Sequence, residues 1–159
     1  MKDSELLRKA AKAHQLEVVA PSENVFKSYT RKSGDCLKSA EILAGNGLYD
    51  NSISEAYYAI YDSLTALLRK TGVKCENHAV SIVLLEVLFG EKPLRDIATW
   101  ARDKRIDSQY YVDSHSNQTL SSEMISKAEN FLGRVESIAR RMTSEQADAM
   151  RTKLLEILK

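Results

Sequence analysis

The chain has 159 residues, 23 of them Lys or Arg and 22 Asp or Glu, with 43% hydrophobic content, which supplies one sizeable core and leaves little room for two. A formal net charge of +1 excludes a basic nucleic-acid coat protein and an acidic tail protein, so any contact with RNA or DNA must be local. No apolar run approaches the roughly 20 residues a bilayer requires, and charges stand where a signal peptide needs its apolar stretch, so a cytoplasmic protein with no membrane contact is expected.

With two prolines and six glycines there are few breaks, and the segments between them are rich in helix formers. An accessory N-terminal helix is predicted within residues 1–21, from about Ser4 to Val19, ending before Pro21. A second helix runs from Ser22 or Glu23 to about Leu43 and stops at Gly45-Asn46-Gly47, leaving Leu48 and Tyr49 in the connection. The third opens at Ser52-Ile53-Ser54-Glu55, a capping-box pattern, and carries Ile53, Tyr57, Ile60, Leu64 and Leu67 on one face until Gly72. Asn77 suits an N-cap. From Ala79 to Phe89 the chain is apolar on nearly every side; periodicity alone permits a buried strand, whereas length and neighbours favour a buried helix. Pro93 fits the first turn of a helix reaching roughly Arg105, and Tyr110 to Gln118 is expected as a polar loop.

Met124, Ala128, Phe131, Val135, Ile138 and Met142 recur at steps of four and three, the seam of a long helix from about Ser121 to Met142. Thr143-Ser144-Glu145-Gln146 offers a capping box for a final amphipathic helix within residues 143–159. The expectation is an all-α bundle over residues 22–142, with extra helices at both ends.

Three catalytic signatures are missing: a glycine-rich phosphate loop, a Gly-x-Ser-x-Gly elbow and a His-Glu-x-x-His pair. Cys75 and His78 have the spacing of two metal ligands, with Cys36 and His115 as remote partners. Structural zinc takes four ligands, usually in two close pairs, so a buried thiol and a capping or hydrogen-bonding imidazole are the favoured reading, and no metal or cofactor is expected. Two cysteines form no staple framework, and free thiols agree with a reducing compartment.

The tyrosines say more. Tyr57, Tyr58 and Tyr61 cluster on the third helix, and Tyr110 and Tyr111 follow a stretch with Lys92, Arg95, Arg102, Lys104 and Arg105 against Asp96 and Asp103. Basic and aromatic groups so interleaved make a candidate phosphate-binding face; the plainer alternative is a solvated helix surface with half-buried tyrosines.

The run Ala40-Glu41-Ile42-Leu43, Gly47-Leu48-Tyr49-Asp50-Asn51-Ser52, Ala56-Tyr57-Tyr58-Ala59-Ile60-Tyr61, Leu67-Leu68, Gly72-Val73 and His78 resembles the HEPN domain (higher eukaryotes and prokaryotes nucleotide-binding) in its stand-alone archaeal and bacterial members. The likeness covers about Phe26 to Met142. It implies an up-and-down bundle of four main helices, commonly a homodimer and often encoded beside a minimal nucleotidyltransferase. Many members are metal-independent ribonucleases whose motif is an Arg, four to six intervening residues and a His, contributed by both subunits at the dimer interface. There the Arg stabilises the developing phosphorane charge and the His moves the proton of the attacking 2′-hydroxyl.

Arg105 occupies the Arg position of this resemblance. Four intervening residues from Arg105 lead to Tyr110, six lead to Val112, and His115 lies nine intervening residues away; Arg69 and His78 have eight between them. Tyrosine titrates near 10 and histidine near 6.5, so the departure concerns the base. The family also uses a tyrosine near the motif as an adenylylation target, which implies Tyr111 or Tyr110.

Three readings follow. The first is a non-enzymatic module that binds a nucleotide, RNA phosphate or a nucleotidyltransferase partner through Arg102, Arg105, Tyr110 and Tyr111. The second is a metal-independent endoribonuclease of a toxin–antitoxin pair with Arg105 and a substitute base, Tyr110 or His115. The third is a structural bundle without a ligand.

Overall fold

The computed structural model describes residues 2–110 and 114–159, without the side chains of 114–116. Among the described residues the chain is all-α but for one two-stranded antiparallel ladder. Its elements are α1 (Asp3–Lys12), β1 (Leu16–Val18), α2 (Glu23–Gly45), α3 (Tyr49–Thr71), β2 (Val73–Cys75), α4 (His78–Phe89), α5 (Lys92–Ser108), α6 (Ser114–Arg141) and α7 (Ser144–Leu158). No helix among the described residues is long and apolar enough to cross a membrane.

Helix α3 is the axis of the bundle and packs against α2, α4, α5, α6 and α7. Its apolar positions Ile53, Tyr57, Ile60, Leu64 and Leu67 are buried, as the spacing predicts. Helices α2 and α3 form an antiparallel hairpin locked by two buried hydroxyls: Ser33 Oγ donates to Ala59 O and Ser52 Oγ to Ala40 O, each at 2.7 Å. Ser121 Oγ on α6 donates to Ser52 Oγ at 2.9 Å, tying the third long helix to the pair. The α6 seam buries Met124, Ala128, Phe131 and Val135, then drifts to Ala139 where a strict heptad would bury Ile138.

Several predicted boundaries hold. Ser22 caps α2 by accepting from Val25 N, Asn77 caps α4 by accepting from Val80 N, and Thr143 with Gln146 forms the reciprocal capping box of α7. Gly72 ends α3 at φ 93°, and Pro93 lies in the first turn of α5.

Others need correction. The helix expected from Ser4 to Val19 stops at Lys12: His14 takes φ 57°, and Leu16, Glu17 and Val18 pair with Cys75, Lys74 and Val73 in an antiparallel ladder. Apolar spacing over residues 6–16 fitted a helix, but Leu16 is buried by the ladder, and a tertiary pairing this distant leaves no local signal. Helix α3 begins at Tyr49, so Ser52 is no cap; its hydroxyl serves the α2 contact. Of the loop expected from Tyr110 to Gln118, residues from Ser114 onward are already helical. Buried Asn117 explains the early start, since its Nδ2 donates to Asp50 Oδ1 at 2.5 Å and anchors the first turns of α6.

Candidate functional site

Three helices bring the chemistry together. Helix α3 contributes Tyr57, Tyr58 and Tyr61, α4 begins with His78, and the last two turns of α5 carry Arg102 and Arg105. Residues three apart on a helix share a face, so the two arginines point the same way.

His78 is held on two sides. Its Nδ1 lies 2.7 Å from Tyr57 Oη, and its ring stacks on Tyr61 with centroids 3.7 Å apart and planes 15° apart. Its position is fixed by the segments flanking the two-stranded ladder: Glu76 N donates to Gln15 O at 2.9 Å and Asn77 Nδ2 to Gln15 Oε1 at 3.0 Å. Residues outside the expected bundle thus place a ring inside the site.

Arg105 Nη2 donates to Tyr58 Oη at 3.1 Å, and its Cζ lies 5.4 Å from the Tyr57 ring centroid and 5.1 Å from that of Tyr58. Both separations suit cation–π attraction. Its Nε is buried without a hydrogen-bond partner. Among the described residues neither Arg102 nor Arg105 enters an ion pair. A guanidinium held by ring faces and a phenol keeps its full charge for an incoming anion.

The electrostatics follow from this crowding. Burial, then the Arg102 and Arg105 charges, hold His78 below its ordinary 6.5, and the amino end of α4 adds a further field against a cation. Burial pushes the Tyr57 phenol up to about 12 against the pull of Arg102, so it stays protonated beside the imidazole.

The basic stretch expected as one face divides. Lys92 pairs with Asp96 at 2.9 Å, and Arg95 Nη1 reaches Asp3 at 2.7 Å and Glu86 at 2.8 Å, so these two are structural and only the carboxyl end of α5 faces the tyrosines. Tyr110 lies just beyond α5 and is 79% exposed, its backbone N–H donating to Asp107 O. Tyr111 and the side chain of His115 lie outside the described residues. Arg69 is about two turns past Tyr61, apart from this cluster.

The sequence reading places Tyr57, Tyr58 and Tyr61 in the candidate basic and aromatic face but does not join His78 to them, although it stands in the same motif run. The signal available was Tyr57-Tyr58 one helical turn ahead of Tyr61, with a histidine opening the next helix. Cys36 and Cys75 are free thiols, and Cys75 Sγ donates to Asn77 O at 3.4 Å. Among the described residues no group of three or more His, Cys, Asp or Glu side chains could hold a metal ion.

The sequence model of the HEPN domain matches residues 26–138. A protein of Methanocaldococcus jannaschii that bears the name "putative toxin" is 31% identical over 104 residues, spanning 62% of this chain and 77% of the relative. The matched segment opens in α2, closes near the end of α6 and takes in the whole Tyr–His–Arg cluster, and on these grounds the chain belongs to the HEPN domain family.

Proposed function

We propose that this chain is a HEPN module that binds the phosphate of a nucleotide or RNA, with Arg102 and Arg105 as the anion seat and Tyr110 and Tyr111 as further binding residues. The observation that carries this reading is the contrast within α5: Lys92 and Arg95 are paired with carboxylates, whereas among the described residues Arg102 and Arg105 enter no ion pair and Arg105 lies over the Tyr57 and Tyr58 rings. An Arg without a carboxylate costs desolvation energy that an anionic ligand offsets.

A second reading, a metal-independent endoribonuclease, is favoured by the way Tyr57 joins Arg105 to His78: the guanidinium lies at 5.4 Å from its ring and the imidazole at 2.7 Å from its oxygen. Here His78, besides Tyr110 and His115, becomes a candidate for moving the 2′-hydroxyl proton while Arg105 stabilises the phosphorane. The name of the archaeal relative supports a toxin context and, with it, an antitoxin partner such as a nucleotidyltransferase that modifies Tyr110 or Tyr111. Ile106 and Tyr110, exposed beside the arginines, support a homodimer formed across this face.

One experiment separates the readings: a labelled single-stranded RNA is titrated with the protein in EDTA and followed by polarisation and by gel. Arg105→Ala should weaken binding at least tenfold, while Lys92→Ala, on the same helix but ion-paired, leaves it within twofold. EDTA-resistant cleavage lost in both Arg105→Ala and His78→Ala would favour the enzyme. Binding without cleavage leaves the module non-enzymatic, and neither leaves a structural bundle.

A further inference from the structure

Behind Tyr58, on the side of α3 that faces α2, lies an open cavity of about 450 Å³. Its walls include Tyr29 from α2 and Tyr58 and Tyr61 from α3, and its polar groups include Asp62 and Glu55, with Lys32 at the rim. Tyr58 belongs to both places, since its side chain forms cavity wall while its Oη accepts from Arg105.

Asp62 is the unusual group. It is only 5% exposed, and the one hydrogen bond it receives comes from the Cys36 thiol to Oδ2 at 3.7 Å. Its other carboxylate oxygen has no protein partner among the described residues, and Lys32 acts on it only through its charge. That oxygen is not sealed in the core but lines the open cavity, where a donor from outside the chain can reach it. Burial raises its pKa, with Lys32 pulling the other way.

The occupant follows from the inventory. Three tyrosines line the cavity, Tyr61 with one face already on His78 and Tyr58 with one toward Arg105, and base–tyrosine stacking on a remaining face serves any nucleobase. The hydrogen-bonding side is dominated by acceptors, Asp62 with Glu55 beside it, so the base must present donors. A carboxylate's two oxygens match two adjacent N–H groups. Guanine has such a pair, N1–H and N2–H2; adenine and cytosine set a ring-nitrogen acceptor beside their amine, and uracil flanks its single N–H with two carbonyls. We infer that this cavity is a guanine pocket, in which the purine lies against the tyrosines with its N1–H and N2–H2 edge on Asp62 while the phosphate of the same nucleotide reaches Arg105 past Tyr58. The inference rests on the phosphate seat proposed above and deepens it by naming the base.

The test is calorimetric titration of the full chain with GMP, AMP, CMP and UMP, and separately with guanosine and with inorganic phosphate. GMP should bind about tenfold or more tightly than the other three, a difference of about 1.4 kcal/mol per tenfold. Asp62→Asn should bring GMP to the level of AMP and leave AMP and phosphate unchanged, because an amide meets the guanine edge with one acceptor instead of two. Arg105→Ala should weaken all four nucleotides and phosphate and leave guanosine unaffected. If Asp62→Asn fails to fold by circular dichroism, Glu55→Gln and Tyr29→Ala replace it, each expected to weaken guanosine severalfold and leave phosphate unmoved.

Equal binding of all four nucleotides, unchanged by Asp62→Asn, would overturn the guanine pocket and leave the phosphate seat standing. A preference for AMP, CMP or UMP would overturn it as well. Guanosine binding that depends on Asp62, with no binding of phosphate and no effect of Arg105→Ala on GMP, would overturn the phosphate seat and keep the base pocket.

Discussion

At the scale of single residues, His78 is the group whose charge the site can change near neutral pH. The groups that face it are Tyr57, Tyr61, Arg102 and Arg105, two phenols and two cations, with no carboxylate among them. Its folded pKa lies below the unfolded value near 6.5, so as pH falls the unfolded chain takes up this proton first. The stability that neutral His78 contributes is complete above about pH 6.5 and is lost as pH drops through the lowered folded value. Asp62, raised by burial, acts in the opposite sense: its contribution is present at low pH and is lost as pH rises through its folded value. Subtracting the His78→Gln profile from that of the native chain isolates the histidine. A binding readout follows from the same geometry. Sulfate keeps its charge across this range, and an imidazolium beside two guanidiniums adds a third positive charge, so sulfate affinity should rise as pH falls from 7.5 through the lowered His78 value. In His78→Gln the affinity should be flat over that range; a native profile equally flat would remove His78 from the anion site.

At the scale of elements, the turn between α3 and β2 bears on the site because it sets the start of α4. Gly72 sits there at φ 93°, and a Cβ built on it would lie 2.7 Å from Val19 O and 2.7 Å from Arg151 Cδ. The arginine side chain can swing away, although its Nη1 also donates to Thr71 O at 2.8 Å; the carbonyl cannot, because Val19 N donates to Gly72 O in the same turn. Gly47, at φ 76°, has open space around its Cβ direction. Urea denaturation should therefore show Gly47→Ala costing about 1 kcal/mol, the left-handed penalty alone, and Gly72→Ala about 2–4 kcal/mol, that penalty plus a backbone collision. Equal costs would mean that the turn between α3 and β2 yields. This turn also shows what was legible in the chain. Gly72 as a helix stop and Asn77 as a cap are local signals, written in one or two residues, and both were readable. The strand at Leu16–Val18 was not, because a three-residue ladder is made by a partner nearly sixty residues away.

At the scale of the molecule the same distinction decides how much of the site could be read. Arg102 and Arg105 stand out as candidates because charge and aromatic content are visible along the chain, whereas the Tyr57–His78–Arg105 cluster needs α3, α4 and α5 folded together before any distance exists. The fold also joins its two ends. Leu7 of α1 and Leu154 of α7 are fully buried, Arg8 Nε donates to Ile157 O at 2.8 Å, and Lys153 Nζ donates to Val87 O at 2.7 Å. The sequence suggested accessory segments at 1–21 and 143–159 around a central bundle. Shared burial argues instead that both ends unfold with the bundle, since α1 and α7 touch each other as well as α4, and β1 is laddered to β2. Leu154→Ala discriminates. The lone tryptophan, Trp100 on α5, reports the bundle by fluorescence, and far-ultraviolet circular dichroism reports the seven helices among the described residues. Deleting a fully buried leucine costs about 2–5 kcal/mol. If the chain is one cooperative unit, both signals should move to lower urea together and remain superimposable. If the ends form a separate clasp, circular dichroism should show an early partial loss while Trp100 keeps its native midpoint, and the terminal helices would then be free to leave without disturbing the arginines.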